Sequence, residues 1–163
     1  MSSLSPGYNN IEEIVEKHSD MLLRVAFTYM KNISDAEDIV QEVFLRLVRE
    51  YPSFENDEHE KAWLIRVAVN LSKNRLKTAW FRKTEPIYDM AVNFTDEEKF
   101  VMDAVMELPS KYRTVILLYY HEGYSIKEIA KILAKKESTI SSRLQRARAR
   151  LKTKLKEDFD YEG

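Results

Sequence analysis

The sequence predicts an all-α protein: two small helical domains joined by a flexible linker, the C-terminal one a helix-turn-helix. Three observations carry that reading. Only 3 glycines and 4 prolines interrupt 163 residues, apolar side chains recur at three and four residues along most segments, and no run alternates with the period of two that a half-buried strand needs. At 44% hydrophobic the chain holds enough apolar sequence for one full core or two small ones. The breakers favour two, residues 1–78 and 96–163, about a linker at 79–95.

The first helix is expected from about Ile11 to Met30, with Ile11, Ile14, Val15, Leu22, Val25, Ala26 and Tyr29 inward. A second runs from about Asp35 to Glu50, capped by Ser34, with Val40, Val43, Phe44, Leu47 and Val48 on its core side. Tyr51 to Glu58 holds Pro52 and reads as a loop. The third helix, about His59 to Thr78, buries Trp63, Leu64, Val67, Ala68 and Leu71. Ala79 to Thr95 shows no sustained period and carries Pro86. A helix from about Asp96 to Met106 leads through Leu108-Pro109 to another from about Lys111 to His121, which Gly123 ends at a C′ position.

Ser125 and Glu128 then stand at capping-box spacing before Ile129-Ala130-Lys131-Ile132-Leu133. After a short turn, Ile140, Leu144, Ala147, Leu151 and Leu155 form the buried stripe of the last helix, leaving Ser141, Ser142, Gln145, Arg146 and Arg148 facing away. Lys135 to Lys156 holds nine Lys or Arg against Glu137 alone. A merely solvated face usually mixes its signs, so this one points to double-stranded DNA, its side chains suited to groove edges and phosphates.

Charge is sorted along the chain although the net is -1. Residues 1–60 hold thirteen acids and five bases, Lys61 to Lys83 seven bases and no acid, and Thr84 to Met106 six acids and one base. Two basic surfaces separated by an acidic stretch follow, with an acidic surface on the first domain. The absence of Cys removes disulfides and Cys-based zinc sites, and no apolar run approaches the roughly 20 residues of a membrane span. A cytoplasmic protein with no membrane insertion is expected.

On the second helix Asp35, Asp38, Gln41, Glu42 and Leu45 lie off the core stripe as an acidic band with an apolar edge. Asp38 and Glu42, at i, i+4, could ligate a metal or act as an acid/base pair, but no His or third carboxylate completes a site. A solvated face and a docking face for a basic protein remain, the second favoured by one sign of charge beside Leu45. On the third helix Arg66, Asn70, Lys73, Asn74 and Lys77 share a side opposite Trp63 and Val67. Lys and Arg would hold phosphates, and an Asn offers a donor and an acceptor to a base edge, or to a neighbouring loop. Phe54, Trp80 and Phe81 could stack on unpaired bases or belong to the core.

These residues carry a resemblance. Asp35-Ala36-Glu37-Asp38-Ile39-Val40-Gln41-Glu42-Val43-Phe44 resembles the region 2.2 signature of bacterial sigma factors of the extracytoplasmic-function type, the small two-domain branch of that family. Ala62-Trp63-Leu64-Ile65-Arg66-Val67-Ala68-Val69-Asn70 resembles its next block, and Leu108-Pro109, Arg113, Gly123, Ser125, Glu128-Ile129-Ala130 and Thr139 to Leu151 resemble its region 4. The resemblance spans about Ile11 to Lys154 in the family's order.

The resemblance implies a promoter-specificity subunit without chemistry of its own: no enzyme, no cofactor, no metal. Asp38, Gln41 and Glu42, with Asp35 and Leu45 completing the band, would bind the clamp helices of the RNA polymerase β′ subunit. Arg66, Asn70, Lys73, Asn74 and Lys77, with Phe54 and the loop Glu55 to Glu58, would melt the minus-ten promoter element, Asn70 holding a flipped non-template base. Ser138, Thr139, Ser141, Ser142, Arg143, Gln145 and Arg146 would read the minus-thirty-five element. Core RNA polymerase, promoter DNA and an anti-sigma factor are the implied partners. The alternative is an autonomous helix-turn-helix regulator that binds duplex DNA without polymerase and uses its first domain to dimerise or sense a signal. The chain departs from the family at the turn, where relatives usually have Gly, an apolar residue and a capping Ser or Pro and this one has Ala134, Lys135 and Lys136. Ala where positive φ is needed costs about 1 kcal/mol.

Overall fold

A computed structural model describes residues 6–78 and 95–162, and every described element is helical. Contacts divide the chain into two units, Met1–Glu85 and Pro86–Gly163. The first carries α1 (Pro6–Met30), α2 (Ile33–Glu50) and α3 (Asp57–Thr78); the second carries α4 (Asp96–Met106), α5 (Ser110–Ile116), α6 (Ile126–Leu133) and α7 (Glu137–Glu162).

In the first unit α1 packs on both α2 and α3. Leu22, Val25 and Phe27 of α1, Val43 of α2, and Leu64, Ile65 and Val69 of α3 are almost wholly buried. Each such side chain is worth roughly 1.5–3 kcal/mol of transfer from water. Two residues join α1 to α2. Lys31 takes a left-handed conformation at φ 56, and Asn32 is extended, its Oδ1 accepting the Asp35 amide at 3.0 Å. The cap is therefore Asn32 rather than Ser34, and α2 begins two residues earlier than its pattern suggests. Its buried stripe is Ala36, Ile39, Val43 and Leu47, whereas Val48 is exposed and Val40 and Phe44 are half-buried. At its end Tyr51 turns left-handed, φ 48, and Pro52 forbids another turn.

Asn56 opens α3 by accepting the His59 amide at 2.8 Å, and acids in the first turn with bases in the last complement the helix dipole. Leu64, Val67 and Ala68 are buried as the pattern predicts, while Trp63 and Leu71 are only half-buried. Ile65 and Val69 go inward as well, because α3 meets both other helices. A buried polar pair crosses this core, His18 Nε2 to Glu60 Oε1 at 2.8 Å.

In the second unit α7 packs on α4, α5 and α6. Ile140, Leu144 and Ala147 are buried, and Leu151 and Leu155 are half-buried. Arg113 is buried too, its Nη1 donating to the Leu108 carbonyl at 2.9 Å at the corner made by Pro109. The predicted helix over Lys111 to His121 changes register: α5 gives way to a π-helical turn, Leu117–His121, in which the Glu122 amide reaches the Leu117 carbonyl at 3.0 Å. Gly123, at φ 76, then takes the left-handed position that ends it.

Candidate polymerase and nucleic-acid interfaces

The acidic band on α2 divides. Asp38 and Gln41 are exposed, Glu42 is half-exposed, and Leu45 is 55% exposed beside Val48 at 53%. Asp35 is instead buried at 4%, which removes it from the exposed band. Its Oδ1 accepts Arg75 Nη2 of α3 at 3.1 Å, and the same nitrogen donates to Asp38 Oδ2 at 3.0 Å. A carboxylate this deep has lost its water, and the guanidinium supplies hydrogen bonds in its place. Arg75, which no sequence pattern singled out, thus joins α2 to α3. Glu42 forms a separate exposed pair with Arg49 on its own helix, at 3.1 Å.

Arg66, Asn70, Asn74 and Lys77 of α3 are exposed and Lys73 is half-buried, on the side away from Leu64 and Ala68; Trp63 and Val67, seven and three residues before Asn70, border that side rather than oppose it as expected. The loop before α3 is braced at its start. Phe54 is half-buried, its ring edge-on to Trp63 at 5.7 Å and to His59 at 5.4 Å, and the Glu55 amide donates to His59 Nδ1 at 3.1 Å. Trp80 and Phe81, and the segment 79–94 expected as linker, lie outside the described residues.

In the second unit the capping box forms as its spacing predicts: Ser125 Oγ accepts the Glu128 amide at 3.1 Å and Glu128 Oε1 accepts the Ser125 amide at 3.0 Å. Ala134 ends α6 in the left-handed region, φ 55 and ψ 47, so the positive-φ turn persists without a glycine. Lys135 and Lys136 are exposed beside it. Along α7 Ser138, Gln145 and Arg146 are exposed, and Thr139, Ser141, Ser142 and Arg143 are half-buried. Arg148 does not face outward freely as its position predicts. Its guanidinium stacks on Tyr119 and Tyr120 of the π-helical turn, at 5.4 and 5.5 Å, and its Nε donates to the Tyr120 hydroxyl. Arg150 likewise lies 5.0 Å over the Tyr112 ring.

Among the described residues no three His, Cys, Asp or Glu side chains gather as a metal site, and no helix is long and apolar enough to cross a membrane. Partial burial lifts the Asp103 carboxyl of α4 above its ordinary range, at a position outside all three faces.

The Sigma-70 region 2 family matches residues 14–82, and the Sigma-70 region 4 family matches residues 101–151. The chain is 30% identical to the ECF RNA polymerase sigma factor SigW of Bacillus subtilis, over 89% of this chain and 88% of that protein. The chain belongs to the ECF sigma factors. It is also 33% identical to the ECF sigma factor SigM of Mycobacterium tuberculosis, over 86% of this chain and 74% of that protein. Among solved structures it resembles CnrH in complex with the cytosolic domain of CnrY, with a TM-score of 0.70 at 25% identity, covering 93% of this chain and 90% of that one. The fold is shared with the sigma factor RpoE of Bartonella quintana, solved with the anti-sigma factor NepR, at a TM-score of 0.67 and 24% identity over 90% of this chain and 97% of that one. As an ECF sigma factor the chain is a promoter-specificity subunit of RNA polymerase, which sets aside the autonomous regulator.

Proposed function

We propose that this sigma factor docks core RNA polymerase through Asp38, Gln41, Glu42 and Leu45, on the β′ clamp helices. Residues 1–78 also melt the minus-ten element with Arg66, Asn70, Lys73, Asn74 and Lys77, Phe54 bracing the loop that receives the flipped base. Residues 96–163 read the minus-thirty-five element with Ser138, Thr139, Ser141, Ser142, Arg143, Gln145 and Arg146. The role is one of binding and positioning, without catalysis, and it is carried out where the polymerase works, in the cytoplasm. An anti-sigma factor is the expected inhibitor, on the analogy of RpoE with NepR.

One observation carries the docking assignment: a half-exposed to exposed acidic row beside exposed Leu45 and Val48, on the same three-helix unit as a solvent-facing Asn-bearing basic helix. Water-facing apolar side chains rimmed by charge of one sign suit a protein partner of opposite charge. Reversing Asp38 and Glu42 together to Arg tests it in the full chain. Association with core polymerase is expected to disappear while the helical content and melting temperature hold. Undiminished association would return the face to solvent.

A further inference from the structure

We infer that Arg75 is a positioning residue for polymerase docking: from α3 it fixes the Asp38 carboxylate of α2 in the orientation the partner meets. The inference rests on the docking reading above and adds a residue to it. Arg75 Nη2 makes two contacts, to Asp35 Oδ1 at 3.1 Å and to Asp38 Oδ2 at 3.0 Å. The two acids differ in surroundings, the Asp35 side chain being 6% exposed and that of Asp38 50%. The buried Asp35 cannot exchange its cation for water, so it pins the guanidinium. The pinned nitrogen spends its second hydrogen on Asp38. One oxygen of Asp38 is thereby held against α3, and the other is left for a partner's cation or amide.

A carboxylate on an exposed helix face otherwise samples several rotamers, and selecting one on binding costs affinity; holding it beforehand removes that cost, roughly two- to tenfold for one side chain. The exposed Glu42–Arg49 pair shows the contrast. Its members are 42% and 67% exposed and no buried group anchors them, so that pair can open to solvent freely.

The test is a double-mutant cycle on the full-length chain, read as its dissociation constant for core polymerase. Arg75→Gln is expected to weaken association two- to tenfold, and to have no further effect in an Asp38→Ala background, because the arginine acts through that carboxylate. An equal loss in both backgrounds would show that Arg75 serves only the fold, and would overturn the inference. So would unchanged or tighter binding by Arg75→Gln, which would make the arginine a bystander or a mask. Wild-type affinity in Asp38→Ala alone would overturn the docking assignment and the inference together. If stranding the buried Asp35 carboxylate melts the unit, Asp35→Asn with Arg75→Gln carries the same cycle with no uncompensated buried charge.

Discussion

Ala134 shows how one residue's backbone can be set by its neighbours against its own preference. It sits at φ 55 because the turn between α6 and α7 must reverse within three residues, and the Lys135 amide closes that turn on the Ala130 carbonyl at 2.9 Å. The left-handed conformation costs an L-residue roughly 1–2 kcal/mol, which burial of Ile129, Leu133, Ile140 and Leu144 offsets. Ala134→Gly removes that strain but adds freedom to the unfolded chain, about 0.4–1 kcal/mol. A net gain of about 0.5–1 kcal/mol is expected, read as a rise of a few degrees in the melting temperature with promoter preference unchanged. A lower melting temperature would mean that the alanine methyl makes a contact worth more than the strain.

At the scale of the element, the turn of the helix-turn-helix carries charge. Between the helices this chain exposes Lys135 and Lys136, with Lys127 and Lys131 exposed on α6 just before them. The first helix of such a motif crosses the DNA backbone, so these side chains suit phosphates and carry no base information. Replacing Lys135 and Lys136 together by Ala is expected to weaken promoter binding by the polymerase holoenzyme at every sequence and to flatten the dependence of log affinity on log salt by about 1–2. A changed base preference at the minus-thirty-five element with an unchanged salt slope would instead make them readers of sequence. Arg148 gives the opposite case on α7. Its stacking on Tyr119 and Tyr120 ties the helix to the π-helical turn, so its charge belongs to the architecture of the motif as well as to its surface.

Across the whole molecule the sorting of charge matters more than its near-zero sum. Thirteen acids against five bases in residues 1–60, and six against one in Thr84 to Met106, repel phosphate, while Lys61 to Lys83 and Lys135 to Lys156 attract it. The free protein is therefore expected to bind promoter duplex weakly at physiological salt. Core polymerase would cover the acidic row on α2 and bring both basic faces to one DNA, raising the effective concentration of the second contact, so affinity should rise by orders of magnitude in its presence. Binding to the promoter with and without core enzyme checks this. Tight, sequence-specific binding by the free chain, indifferent to core, would contradict the account.

Sequence alone determined the helices and most of their inner faces, because periodicity and capping are local. The Ser125–Glu128 box, the Ile140–Leu144–Ala147 stripe and the exposed side of α3 with Asn70 all follow from residues within a few positions of one another. What the tertiary structure decided lies where one helix meets two others. Burial on α2 falls on Ala36, Ile39, Val43 and Leu47, and leaves Val48 in water, because the angle at which α1 and α3 approach fixes which edge of an apolar stripe is covered. The same approach carries Arg75 across to Asp35, forty residues away in sequence, turning an acid expected in the docking band into the buried anchor of that band. Nothing local marks such a pair. Its members share no period, and they meet only once packing has brought the two helices together.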